Sequence, residues 1–141
     1  MFRRILVPLD FSGSSAAALA LARRAFPQAT LRLVHVLNPS QIAGNIQSPA
    51  MPELTRFEME NEVRQRLEEL TTDADELVIR LGNAAELIIK EAEAWQADLI
   101  TMGTHGRTGL NYFLQGSVAE QVVRHSRLPV LIEHDRPVQP A

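Results

Sequence analysis

A chain of 141 residues fits within one hydrophobic core of ordinary size, and an apolar content of 45% is enough to build one. Its net charge of -3, from 14 basic and 17 acidic residues, gives no overall electrostatic reason to expect nucleic acid or an anionic membrane as partner. The absence of cysteine excludes disulfides, cysteine zinc sites, iron–sulfur clusters and thiol catalysis, and it fits a reducing compartment.

The start, MFRRILVPLD, has two arginines but too short an apolar run for a signal peptide. It reads instead as a strand, RILVPLD, rich in branched residues and covered on both faces. Ser12 and Ser14 offer caps for a helix over AAALALARRAF, which Pro27 stops. TLRLVHVL is the second strand. Residues 38–52, NPSQIAGNIQSPAMP, carry three prolines and a glycine without a sustained period and read as a long loop of the functional or mobile kind.

ELTRFEMENEVRQRLEELT is the strongest helix, with Leu54, Phe57, Val63, Leu67 and Leu70 near helical spacing and Glu60/Arg64 and Glu62/Arg66 as i,i+4 pairs. DELVIRLG is a third strand, and Asn83-Ala-Ala-Glu86 resembles a capping box opening a helix through Trp95. ADLITMG is the fourth strand. After a glycine-rich connection, Ser117-Val-Ala-Glu120 forms a second capping box for a helix to His125, and Pro129 opens the last strand, PVLIEH. The expected organisation is one domain over 1–141, with 136–141 as a flexible tail. No apolar stretch approaches the length of a membrane span, so the expectation is a soluble cytoplasmic protein without membrane insertion.

Strands alternating with helices imply right-handed crossovers and a doubly wound α/β fold: a five-stranded parallel sheet in the order 3-2-1-4-5 with helices on both faces. In such a sheet the connections from strands one and four leave toward opposite faces and open a crevice at the carboxyl ends. The two most distinctive loops, VPLDFS and MGTHGR, follow those two strands.

Four of the seven glycines, Gly103, Gly106, Gly109 and Gly116, fall in the connection GTHGRTGLNYFLQGS. Glycine permits positive φ and lets a ligand approach the backbone, both useful where amides curl around phosphate oxygens. Gly116 and Ser117 stand at the start of a helix, where unpaired N–H groups and the dipole favour an anion. His105 and Arg107 add donor or positive character. The same glycines could serve as turns and Ser117 as a cap. The whole spacing favours phosphate, since it matches neither the P-loop, nor the dinucleotide fingerprint, nor the nucleophile elbow.

On the opening ILVPLDFS and above all on MGTHGRTGLNYFLQGSVAEQVVRHSRLPVLIEH, the chain resembles the ATP-binding branch of the universal stress protein family over nearly its whole length. It meets every position of that family's G-x2-G-x9-G-[ST] signature. The resemblance implies an adenine nucleotide alpha hydrolase-like fold and an adenine nucleotide in the crevice, with ATP as ligand and Mg2+ reaching it through water and phosphate oxygens. It places Pro8 and Asp10 at the ribose and adenine, Val36 on the adenine side, Met102 and Gly103 along the nucleoside wall, and Gly106, Gly116, Ser117 and Val118 at the phosphates. Asp10 suits a ribose hydroxyl or an adenine amino group, and suits equally well a turn or cap within DFS. The resemblance also implies a homodimer through the last strand.

His35, His125 and His134 have no metal-cluster spacing, and neither a catalytic triad nor a metal-ligand motif is legible. The function expected is therefore that of an ATP-binding, nucleotide-dependent regulatory or stress-response protein acting on an unidentified protein partner. Slow ATP hydrolysis stays open, with His105 its participant by position. The alternative is a dimeric interaction module whose crevice is empty or incidental.

Overall fold

The computed structural model describes residues 1–38, 52–104 and 118–134, with the side chains of 52–55 excepted. Five strands, β1 (Arg4–Pro8), β2 (Thr30–Leu37), β3 (Glu76–Leu81), β4 (Leu99–Thr104) and β5 (Val130–His134), form one sheet in the order β3-β2-β1-β4-β5. Every pairing is parallel, so all the carboxyl ends lie along one rim. The parallel direction is that implied by the alternation of strands and helices, and the order is the one expected for a doubly wound sheet. The loop expected over 38–52 lies, apart from its ends, outside the described residues.

Period-two alternation divides the interior into two half-cores. Ile5, Val7, Leu31, Leu33 and Leu99 face one side, where Leu19 and Ala22 of α1 (Gly13–Ala25) and Val63 and Leu67 of α2 (Pro52–Leu70) cover them. Leu6, Val34, Ile100 and Met102 face the other, against Ala85, Ile88 and Trp95 of α3 (Ala84–Trp95) and Ala119 and Val122 of α4 (Val118–His125). Ile5, Leu6, Leu33 and Ile100 are fully buried, and burying each such side chain contributes ~1.5–3 kcal/mol.

The helix ends follow side-chain chemistry. Ser12, not Ser14, caps α1: its backbone is extended and its hydroxyl accepts from Ser15 N at 3.2 Å. Ser14 lies inside the first turn and is buried. Asn83 caps α3 by accepting from Glu86 N at 3.0 Å, whereas the Glu86 carboxylate pairs with Lys90 at 3.0 Å, so half of the expected capping box forms. The other box is cut by the boundary of the described residues, since Ser117 lies outside them. Pro129 precedes β5 and offers its carbonyl to Ile100 N at 3.1 Å.

α2 departs from the expected stripe. Val63 and Leu67 are buried, but Phe57 is 60% exposed and Leu70 37% exposed. Among the described residues of this helix, the ion pair formed is Arg56–Glu60 at 3.0 Å, instead of Glu60/Arg64 or Glu62/Arg66. Arg66 turns toward a tertiary partner.

Candidate functional site at the carboxyl ends of β1 and β4

β1 pairs with β2 over all five residues, from Arg4↔Thr30 to Pro8↔Val34. With β4 its register covers just Ile5↔Leu99 and Leu6↔Ile100. The two strands therefore part beyond Leu6 and Ile100, at the point where strand order reverses. Such a split at the carboxyl rim is where open α/β sheets take ligands.

The wall on the β1 side is a tightly bonded turn. Leu9 N donates to Val34 O at 2.8 Å, the last ladder bond of the strand. The Asp10 carboxylate, exposed at the rim, accepts through Oδ1 from Ser12 N at 3.0 Å and from the Ser12 hydroxyl. Asp10 N donates to Ser15 Oγ at 3.4 Å, and Ser15 Oγ donates to Ser12 O at 3.1 Å. The turn reading of Asp10 is thus realised through one oxygen. These bonds close the chain around Phe11, whose φ of 65° lies in the left-handed region. That conformation costs a residue bearing a Cβ on the order of 1–3 kcal/mol and persists only where the surroundings over-determine it.

Three neighbours supply that constraint. Phe11 packs half-buried against the first half-core. The His35 ring stacks on it at 4.9 Å between centroids with a 32° tilt. His35 Nδ1 lies 2.6 Å from Leu9 O, and since a carbonyl can only accept, Nδ1 carries the proton there. The Arg66 guanidinium of α2 lies 3.8 Å above the Phe11 ring centroid.

On the β4 side, Gly103 meets the first turn of α1. A Cβ at this position would fall 2.4 Å from the Ser14 carbonyl carbon and oxygen and 2.7 Å from Ser15 N. All three are backbone atoms, so no rotamer change relieves the clash. Gly103 is needed to bring the end of β4 against the N-terminus of α1, whatever else it does. Met102 points away from α1, into the second half-core with Ile100 and Val122, and is buried. Val36 packs half-buried against the same half-core. Pro8 is buried at the end of β1, and Val118, at the start of α4, is 41% exposed.

Of the residues assigned to the site from sequence, Pro8, Asp10, Gly103 and Val118 thus stand at strand or helix ends on one rim, and Met102 and Val36 direct their side chains inward. Gly106, Gly116, Ser117, His105 and Arg107 lie outside the described residues. Phe11 and Arg66, which the sequence did not single out, meet at the turn that follows β1. Among the described residues no group of three or more His, Asp or Glu could hold a metal ion. Those residues therefore provide no protein cage for Mg2+, whereas a carboxylate, a serine hydroxyl and a helix N-terminus suit the hydroxyls and oxygens of a nucleotide.

The universal stress protein family model matches residues 1–134. The chain belongs to the universal stress protein family. It is 30% identical over 155 aligned positions to universal stress protein MJ0577 of Methanocaldococcus jannaschii, covering 94% of each chain. The solved structure of MJ0577 superposes with a TM-score of 0.81 at 28% identity, covering 97% of this chain and 99% of that one. Two further structures share the fold: a universal stress protein in complex with cAMP, with a TM-score of 0.65, 24% identity and 94% and 97% coverage, and an Arabidopsis thaliana family member with AMP bound, with a TM-score of 0.63, 16% identity and 99% and 97% coverage. Among the described residues of this universal stress protein, no helix is long and apolar enough to cross a membrane.

Proposed function

We infer that this protein is an ATP-binding universal stress protein, a nucleotide-dependent regulatory or stress-response module. The observation that carries the reading is a coincidence of place: β1 and β4 part at the switch point, and a complete G-x2-G-x9-G-[ST] sequence begins at Gly103 on the rim of that opening. Asp10 then meets the ribose or adenine end. The backbone of Met102 and Gly103 continues the nucleoside wall, with Pro8 and Val36 beside it. Gly106, Gly116, Ser117 and Val118 take the phosphates through main-chain groups, helped by His105 and Arg107. Mg2+ arrives with the triphosphate, held by phosphate oxygens and water. That two proteins of this fold hold cAMP and AMP is consistent with an adenine nucleotide here.

The same reading extends to one domain over 1–141, a cytoplasmic location, and a regulatory protein partner that senses nucleotide state. In this reading any ATP hydrolysis is slow, with His105 its participant. A second reading is favoured by one observation: β5 is an edge strand whose Val130, Leu131 and Ile132 are half-buried, and pairing of two such edges would satisfy their backbone and cover their side chains. A homodimer through β5 suits the nucleotide reading too. An interaction module with an incidental crevice would show the dimer and no nucleotide.

The test is to identify nucleotide co-purifying with the protein and to titrate ATP into wild type and Gly116→Val. A branched side chain at the phosphate approach is expected to weaken binding at least tenfold in a folded protein. Equal affinity of the two would refute the site, and a dimer without adenine-nucleotide affinity would favour the second reading.

A further inference from the structure

α2 has no need of Arg66 to hold it on the sheet. Val63 and Leu67, buried at 8% and 0% exposure, already anchor that helix to the first half-core. Arg66 is instead an exposed residue whose guanidinium lies over the ring of Phe11, the residue with positive φ in the β1–α1 turn. The turn on either side of that ring carries the bonds that aim Asp10: Ser12 N onto its Oδ1, and Asp10 N onto Ser15 Oγ. A chain that left the left-handed region at Phe11 would reorient the preceding peptide and both of these bonds with it.

We propose that Arg66, acting through the Phe11 ring, is the positioning residue for Asp10, so that α2 and the nucleoside end of the crevice behave as one unit. The proposal rests on the nucleotide reading above and deepens it, since it names the element through which occupancy of the crevice is felt at a distance. Three contacts keep Phe11 in place: the half-core beneath it, the His35 ring and the guanidinium. The first two belong to the sheet and to the hydrophobic interior. The third comes from the exposed side of a helix that also carries the exposed Phe57, so the cation–π contact adds a surface link to the half-core packing through which α2 already borders Phe11. Ligation that fixes Asp10 strengthens the contact, and by reciprocity a partner whose binding to α2 is changed by the nucleotide changes nucleotide affinity by the same factor.

The experiment measures ATP affinity by calorimetry for wild type, Arg66→Ala, Arg66→Lys, Phe11→Leu and Asp10→Ala, and for the double variant of Arg66→Ala with Asp10→Ala. It adds amide exchange of Ser12 and Ser15 in the ligand-free proteins. Arg66→Ala is expected to weaken binding about fivefold to tenfold, the size of one partly exposed cation–π contact. Arg66→Lys, which keeps a cation over the ring, restores most of it. Phe11→Leu reproduces the loss with the charge at position 66 intact, which separates action through the ring from direct attraction of phosphate. In the Asp10→Ala background the effect of Arg66→Ala falls below about twofold, because nothing remains to be positioned. Unchanged affinity in Arg66→Ala, or its full effect persisting without Asp10, overturns the proposal.

A wild-type protein without affinity for any adenine nucleotide overturns the function proposed above and is told apart by the exchange data. Faster exchange at Ser12 and Ser15 in Arg66→Ala, with the sheet amides unchanged, upholds the latch on the turn. Unaltered exchange there overturns it.

Discussion

β1 and β4 lie side by side in the centre of the sheet, and their two ends are built in opposite ways. At the amino end the Asp98 carboxylate, just before β4, accepts from Arg3 N at 2.8 Å and Arg4 N at 2.9 Å, while Asp98 N donates to Arg4 O at 2.7 Å. Close by, Arg4 and Arg32 both lie over the Trp95 ring, at 6.0 and 4.7 Å from its centroid. Arg32 binds Glu76, and it binds the buried Glu91 at 2.6 Å, which also takes Arg80 at 3.0 Å. Burial works against the Arg32 charge, but its hydrogen bonds to Glu76 and Glu91 outweigh that and raise its pKa. Polar groups at this end are consumed by structure. At the carboxyl end the ladder stops after two residue pairs, a strained turn stands over it, and the nearest approach is of bare backbone at Gly103. The amino end is thus joined by backbone and side-chain bonds, whereas the carboxyl end leaves the two strands without ladder pairs beyond Leu6 and Ile100.

The comparison breaks most severely at Gly103. Valine there would place atoms inside the first turn of α1, and since both sides are backbone, α1 must move or β4 must bend. A loss of about 3 kcal/mol is expected, at the upper end of overpacking penalties, read as a lowered urea midpoint with little change in slope. A variant as stable as wild type would show that the two elements are not in the contact described.

Asp98 sharpens the comparison at the closed end, with a smaller effect. Hydrogen bonds from the Arg3 and Arg4 amides hold its carboxyl below the usual carboxylate range, 3.8 in the absence of such partners. The folded protein then binds fewer protons at this group than the unfolded chain does. Its contribution is complete above about pH 4 to 5 and is lost as pH falls through the lowered value. Asp75 acts in the same direction: burial raises its pKa, but the Arg23 and Thr72 bonds prevail and lower it. Asp98→Asn should therefore flatten the acid limb of stability against pH and leave ATP affinity at pH 7 unaltered. An unchanged acid limb would contradict the clamp.

How far the sequence disclosed these two ends depends on the range of the interactions involved. RILVPLD announces a strand buried on both faces because its run of apolar residues is local, whereas handedness restricts the strand order without fixing it, and the order expected was that of the common doubly wound sheet. The stripe on α2 was read too broadly: Leu67 and Val63 face the sheet, but helical spacing cannot choose between overlapping stripes, and Phe57 and Leu70 fall outside. Arg66 has Glu62 at i-4, so a local rule paired them, whereas the partner it takes is an aromatic ring 55 positions earlier in the chain. The inward turn of Met102 was available from parity with Ile100, since alternate residues of a strand share a face. The positive φ of Phe11 was not, because its residue type disfavours that region and tertiary contacts impose it. Gly103 was legible as a glycine of the motif, but not as the residue that admits Ser14.

The most direct test of the central claim is an amide hydrogen-exchange map with and without saturating ATP. The account predicts slower exchange at the carboxyl rim, over residues 9–15 and 102–104, with the amides of Arg3, Arg4 and Asp98 at the amino end unchanged. Protection confined to the amino end, or none at the carboxyl rim while ATP is demonstrably bound, would contradict it.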